Sequence, residues 1–189
     1  AMFSPADDLV VTTGGDQRAV VWETDKGLPV YAVLDHINVV AGATFSPEGS
    51  RLLTWSPDKS ARVYAACDGR PLFTLSGHTQ DVSAGGFSAD GCRVVTGSGD
   101  ATARLWDLVE RSGQKVVAEQ RCAPGLGRRG SDVCRAQTAF SEQRRALLGA
   151  TFSNDGRWFA TAGVDRIARV YDATTGEPVA TLPEQTQPV

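Results

Sequence analysis

The chain has 189 residues, a net charge of −3, 41% hydrophobic and 22% charged residues. That is the composition of a globular domain with no general electrostatic pull on nucleic acid or on an anionic membrane. No apolar run approaches the roughly 20 residues that span a bilayer, no charged-then-apolar leader opens the chain, and four scattered cysteines with two histidines do not make a zinc site.

Taken in chain order, the sequence repeats itself. Phe-Ser turns occur at Phe3 (FSPADD), Phe45 (FSPEGS), Phe87 (FSADGC) and Phe152 (FSNDGR), spaced by 42, 42 and 65 residues. Asp16, Asp58, Asp100 and Asp165 keep those spacings, and so do the aromatics Trp22, Tyr64, Trp106 and Tyr171. Three independent markers in one register define four units of 42 residues with one insertion of 23. Each unit reads as four short strands. One precedes each Phe-Ser, as in 39–45 and 145–152. Two more are typified by RVVTGS (93–98) and ARLWDL (103–108), rich in β-branched and aromatic residues. The fourth is PLFTL (71–75) or PVATL (178–182), after a Gly-containing turn. No segment carries a 3.6-residue period. The chain opens in mid-motif at Phe3, so the first unit is expected to lack its innermost strand, and the sequence is expected to be a piece of a longer protein or one half of a ring.

A 42-residue, four-stranded unit ending in Trp-Asp, seen most fully in SGHTQDVSAGGFSADGCRVVTGSGDATARLWD (76–107), resembles the WD-repeat β-propeller family. The resemblance implies an all-β fold of about four blades, each a four-stranded antiparallel sheet, over 3–34, 35–76, 77–120 and 143–182, with 121–142 as an inserted loop. It also implies a hydrogen-bonded network within each blade. In the third blade this comprises His78, Thr96 or Ser98, Asp100 and Trp106. In the second it comprises His36, Thr54, Asp58 and Tyr64. The first keeps Thr12, Asp16 and Trp22, and the fourth keeps Asp165 and Tyr171 with Gln143 in the His position. A hydroxyl, an imidazole and a carboxylate also make a hydrolase triad. The repeat decides against it, because a catalytic set occurs once per site whereas a structural device recurs and decays blade by blade. No cofactor, no metal and no enzymatic activity are expected.

The insertion has two placements. In the favoured one SGQKVVAEQ (112–120) is the outer strand of the third blade; in the other, RAQTAFSEQ (135–143) is that strand and the insertion precedes it. GLGRRG (125–130) matches a dinucleotide-binding pattern but lacks the strand-and-helix context that such a site needs. Ser131, in RRGS, is a phosphorylation candidate. Residues 108–145 carry a net charge of +4 against −7 for the rest, so Arg128, Arg129, Arg144 and Arg145 are candidate contacts for an acidic partner. Trp55 replaces the Gly97 and Ala162 of neighbouring blades and is either a contact hot spot or a local packing residue. The blades lack the Arg after Trp-Asp with which members of the family dock on a ubiquitin-ligase adaptor.

The expected function is a non-enzymatic scaffold that presents loop surfaces to other proteins. Self-association through open blade faces is a further expectation, and the setting is intracellular and cytoplasmic, away from nucleic acid and membrane. Family habits offer two alternatives, a lattice component of a cytoskeletal or ciliary assembly and a sensor domain of a larger signalling protein.

Overall fold

Consecutive apolar residues in a strand point to opposite faces of its sheet, so pairs such as Leu52-Leu53 and Val94-Val95 require covering on both sides. The structure, a computed structural model, describes residues 1–108, 132–134, 138–140 and 145–182, those of 132–134 and 138–140 as backbone. It meets that requirement by stacking four sheets. The strands are β1 (Met2–Phe3), β2 (Leu9–Thr13), β3 (Ala19–Glu23) and β4 (Pro29–Val33) in blade 1, and β5 (Gly42–Phe45), β6 (Arg51–Trp55), β7 (Ser60–Ala65) and β8 (Pro71–Ser76) in blade 2. Blade 3 holds β9 (Val82–Phe87), β10 (Arg93–Ser98) and β11 (Ala103–Asp107). Then come β12 (Asp132–Cys134) and β13 (Thr138–Phe140), followed by β14 (Leu147–Phe152), β15 (Trp158–Gly163), β16 (Ala168–Asp172) and β17 (Pro178–Thr181) of blade 4. Within each blade the strands are antiparallel neighbours in chain order.

Two differences from the expected layout are local. The inner strand of blade 1 is present as two residues, Met2 and Phe3, paired with Val11 and Val10. The outer strand of blade 3 is β13, which pairs with Ala103–Leu105. That strand lies inside the 121–142 segment expected to be a loop, so the second placement of the insertion is the one the fold adopts; 109–131, including 112–120, lie outside the described residues. The reason is visible at one position. Gly27, Gly69 and Gly176 turn the chain from third to fourth strand with φ of 63°, 71° and 74°. At the same spacing blade 3 has Arg111, which lacks glycine's freedom in the left-handed region. Just before β13, β12 adds in parallel to the outer edge of blade 2 along Phe73–Leu75, making that sheet five-stranded.

Three apolar clusters lie between successive blades. Val11, Val21 and Val33 of blade 1 meet Phe45, Leu52 and Tyr64 of blade 2. Leu53, Val63 and Phe73 of blade 2 meet Val94 and Trp106 of blade 3. Val95 and Leu105 of blade 3 meet Leu147, Phe159 and Tyr171 of blade 4. Full burial of each Leu or Val stabilises by roughly 1.5–3 kcal/mol. Turn chemistry sets the register. Ser4, Ser46, Ser88 and Ser153 each accept, through Oγ, the amide of the residue five positions on, at 2.9–3.0 Å.

Arginines add a polar link between blades. Arg51 donates to the Gly91 carbonyl at 2.7 Å, and Arg93, 42 residues later, donates to the carbonyls of Gly156 at 3.2 Å and of Ala173. Neither was picked out in the sequence. Arg93→Met keeps the apolar stem and removes two charge-assisted bonds across the blade 3–4 boundary, so it should cost about 1.5–3 kcal/mol. Denaturant unfolding checks this, and an unchanged midpoint would show that the link contributes nothing.

Candidate functional site

Every blade places an Asp at the turn between its second and third strands. The turn needs it first for itself. The residue after the Asp has left-handed φ in all four blades: Gln17 70°, Lys59 71°, Ala101 63° and Arg166 66°. None is glycine, so each position carries a cost of about 1–2 kcal/mol. The Asp Oδ1 offsets it by accepting the amide two residues on, from Arg18, Ser60, Thr102 and Ile167, at 3.0–3.3 Å.

The other carboxylate oxygen is then free to bond elsewhere. In blade 3, Oδ2 of Asp100 lies 2.9 Å from His78 Nδ1 and accepts the Thr79 amide at 2.9 Å. His78 Nε2 lies 2.8 Å from Thr96 Oγ1, which accepts the Trp106 indole N–H at 2.9 Å. Indole only donates and carboxylate only accepts, so the protons order themselves. Trp106 donates to Thr96, the Thr96 hydroxyl donates to Nε2, and Nδ1–H donates to Asp100. Blade 2 repeats the chain at 2.7 Å for both His36–Asp58 and His36–Thr54. Ser98 is not the bridging hydroxyl: it donates to the Gln80 carbonyl and accepts the Asp100 amide. Ser60 and Thr102 hydroxyls, both 2.6 Å from the Asp Oδ1, belong to the same cluster and are written in the sequence two residues after each Asp.

Burial lowers the pKa of both imidazoles below the usual 6.5, with Asp58 or Asp100 raising it part of the way back and Arg62 or Arg104 pressing it down. Both histidines are therefore neutral at pH 7, in agreement with the proton order above. Burial alone would raise the Asp58 and Asp100 carboxyls. Hydrogen bonds outweigh it, from Ser60 and His36 in one case and from Thr102, Thr79 and His78 in the other, and both sit below the ordinary carboxylate value. A family model described as WD domain, G-beta repeat matches residues 69–107 and 137–172. The chain carries WD repeats. No curated protein matches it.

The second match begins one residue before β13, as the first begins just before β8, so both WD repeats start on the outer strand of the preceding blade. Blades 1 and 4 differ from this pattern. In blade 1, Trp22 donates to Thr12 at 2.8 Å, and the exposed Asp16 accepts the Arg18 amide at 3.3 Å and lies 4.0 Å from the Arg18 side chain. In blade 4, Arg169 takes the Asp165 carboxylate at 2.9 Å, and Tyr171 stacks on Phe159 at 5.0 Å; Gln143 lies outside the described residues. In blade 2 the Tyr64 hydroxyl is buried near Asp35 and Thr54 without a hydrogen bond of full geometry among the described residues, and burial raises its pKa.

Trp55 packs inward. Its ring lies between the inner strands of blades 2 and 3, where a Cβ on Gly42 would come within 2.3 Å of the ring and one on Gly85 within 3.0 Å. One edge of Trp55 also lines an apolar concavity of about 360 Å³ with Ala84, Gly149, Ala160 and Ala162. Arg145 is exposed. Arg128, Arg129, Ser131 and Arg144 lie outside the described residues. Among the described residues no group of three or more His, Cys, Asp or Glu could hold a metal ion, and no helix is long and apolar enough to cross a membrane.

Two outcomes follow. The depressed imidazole pKa values mean that the unfolded chain takes up protons first as pH falls below 6.5. Stability present at pH 7 should therefore fall towards pH 5, by at most about 1.4 kcal/mol per pH unit for each histidine. It should fall again below pH 4 as the unfolded carboxylates protonate. His78→Ala should cost about 1–3 kcal/mol at pH 7 and flatten the upper part of that profile, measured by chemical denaturation at each pH. Gly42→Ala should cost about 1–3 kcal/mol by overpacking, and adding Trp55→Leu should recover part of it; an additive double variant would place the indole elsewhere.

Proposed function

We propose that this WD-repeat chain is a non-enzymatic scaffold whose loop surfaces bind other proteins, and that the His-Thr-Asp network serves the blades themselves. WD-repeat proteins in general mediate protein–protein interaction. One observation carries the proposal for this chain: the Thr–His–Asp sequence of hydrogen bonds occurs twice, 42 residues apart, with both ring nitrogens of each His already committed. Thr96 is fully buried and gives its proton to an imidazole that is itself held, so no substrate carbonyl can reach it.

Binding falls to the exposed loops. The basic set Arg128, Arg129, Arg144 and Arg145 is the proposed contact for an acidic protein segment, with Ser131 as a site whose phosphorylation would cancel much of that charge. Trp55, held between two blades, is proposed to touch a partner only by its open edge. Open blade faces offer a second mode, self-association. The exposed thiol of Cys92 suits a reducing, intracellular setting, proposed to be the cytoplasm.

The test is quantitative affinity capture with the wild-type chain and a chain in which the four arginines are changed to Glu. Proteins retained by the first and lost from an equally stable second support the proposal. Hydrolytic turnover that disappears in Thr96→Val at unchanged stability would overturn it.

A further inference from the structure

The most exposed large apolar side chain among the described residues is Ile37, at 82%, in the connection 34–41 between β4 and β5. The corresponding residue before blade 3, 42 positions on, is Thr79. Thr79 is exposed too, although blade 3 is covered on both sides, so the position owes its exposure to the connection itself. Val39, 38% exposed, corresponds to Asp81, which is exposed likewise. Apolar side chains thus stand at two positions where the repeat accepts a hydroxyl and a carboxylate. The backbone setting is shared, since the Ile37 and Thr79 amides donate to Oδ2 of Asp58 and Asp100 at 3.2 and 2.9 Å. The connection is also held from within. His36 bonds Asp58 and Thr54 at 2.7 Å, the Ala41 amide donates to the Trp55 carbonyl at 2.9 Å, and Val40 is buried. None of these contacts calls for an apolar group at Ile37 or Val39.

We infer that Ile37 and Val39 form a contact point for a short acidic segment of another protein, one that offers an apolar side chain with carboxylates beside it. Side chains on a loop that is already ordered lose little freedom on binding. The charge beside them selects the partner. Lys59 directly follows Asp58, the residue that holds Ile37, and is exposed. Arg62 lies within electrostatic reach of His36, and its Nε is buried without a hydrogen-bond partner among the described residues. Asp58 has both oxygens committed, Oδ2 to His36 and the Ile37 amide and Oδ1 to Ser60. Asp35 is then the one acid of the connection, set against two cations. An Asp or Glu of the partner supplies Lys59 with a counter-charge while its apolar neighbour covers Ile37.

This contact point rests on the scaffold reading but is separate from its basic set. The probe is an array of peptides in which one Leu, Ile, Phe or Trp is flanked by Asp or Glu, beside arrays with the same centres flanked by Ser or by Lys. The chain should retain the acidic array above the other two. Ile37→Thr, the residue type that blade 3 carries at this position, should weaken the best acidic peptides about tenfold and leave the denaturation midpoint unchanged. Val39→Asp should act in the same direction, and Lys59→Glu should turn the preference towards the Lys-flanked peptides. The chain with Arg128, Arg129, Arg144 and Arg145 changed to Glu should keep the binding that depends on Ile37. Binding that vanishes in that chain and ignores Ile37→Thr would overturn the inference and leave the scaffold reading standing. So would acidic peptides retained no better than Ser-flanked ones, or an Ile37→Thr chain whose midpoint falls, because the side chain would then serve its own fold.

Discussion

The fold depends on one geometric constraint. A strand with apolar side chains on both faces cannot be buried by its own sheet, and every central strand of blades 2 and 3 is of that kind. Leu52 faces blade 1 while Leu53 faces blade 3; Val94 faces blade 2 while Val95 faces blade 4. Blades 2 and 3 are therefore each half of two cores and owner of none. Stability resides at boundaries, and the boundaries repeat because the sequence does.

Polar groups follow the same logic at smaller scale. The turn Asp is present in all four blades because its Oδ1 closes a turn with a left-handed residue, a need that exists in each. Its partnership with His is a second use, made only where a His-bearing connection enters the blade. That is why Asp165 persists in blade 4, where the sequence has Gln143 at the His spacing, and why Arg169 can occupy its carboxylate. A catalytic residue would not be expected to survive the loss of its partner in this way.

The strand pattern, the four-blade count and the markers at Phe, Asp and Trp were legible because each comes from local chemistry repeated in register. Thr96 rather than Ser98 as the bridging hydroxyl was not, because both lie on the same face of β10 and only the position of the imidazole separates them. The inter-blade roles of Arg51 and Arg93 were hidden for a different reason. They bond backbone carbonyls, which leave no partner residue type to find, although their 42-residue spacing was available as a signal. Trp55 looked exceptional in sequence because a large residue replaced small ones; the compensation is written at Gly42 and Gly85, on other strands.

The insertion shows what a broken local rule does to a repeat. Three blades turn from third to fourth strand on a glycine with positive φ, and blade 3 has Arg111 at that spacing. With the tight turn disfavoured by about 1–2 kcal/mol, the edge of β11 needs a partner from elsewhere, because unpaired backbone groups are costly to leave so. The edge is filled by Thr138–Phe140, delivered from about 30 residues downstream. A longer loop costs only slowly more in closure entropy, roughly 0.6 kcal/mol for each doubling of length, so the blade tolerates the excursion. The same returning segment meets the edge of blade 2 through Asp132–Cys134 before it reaches blade 3. One stretch of about ten residues thus serves two blades.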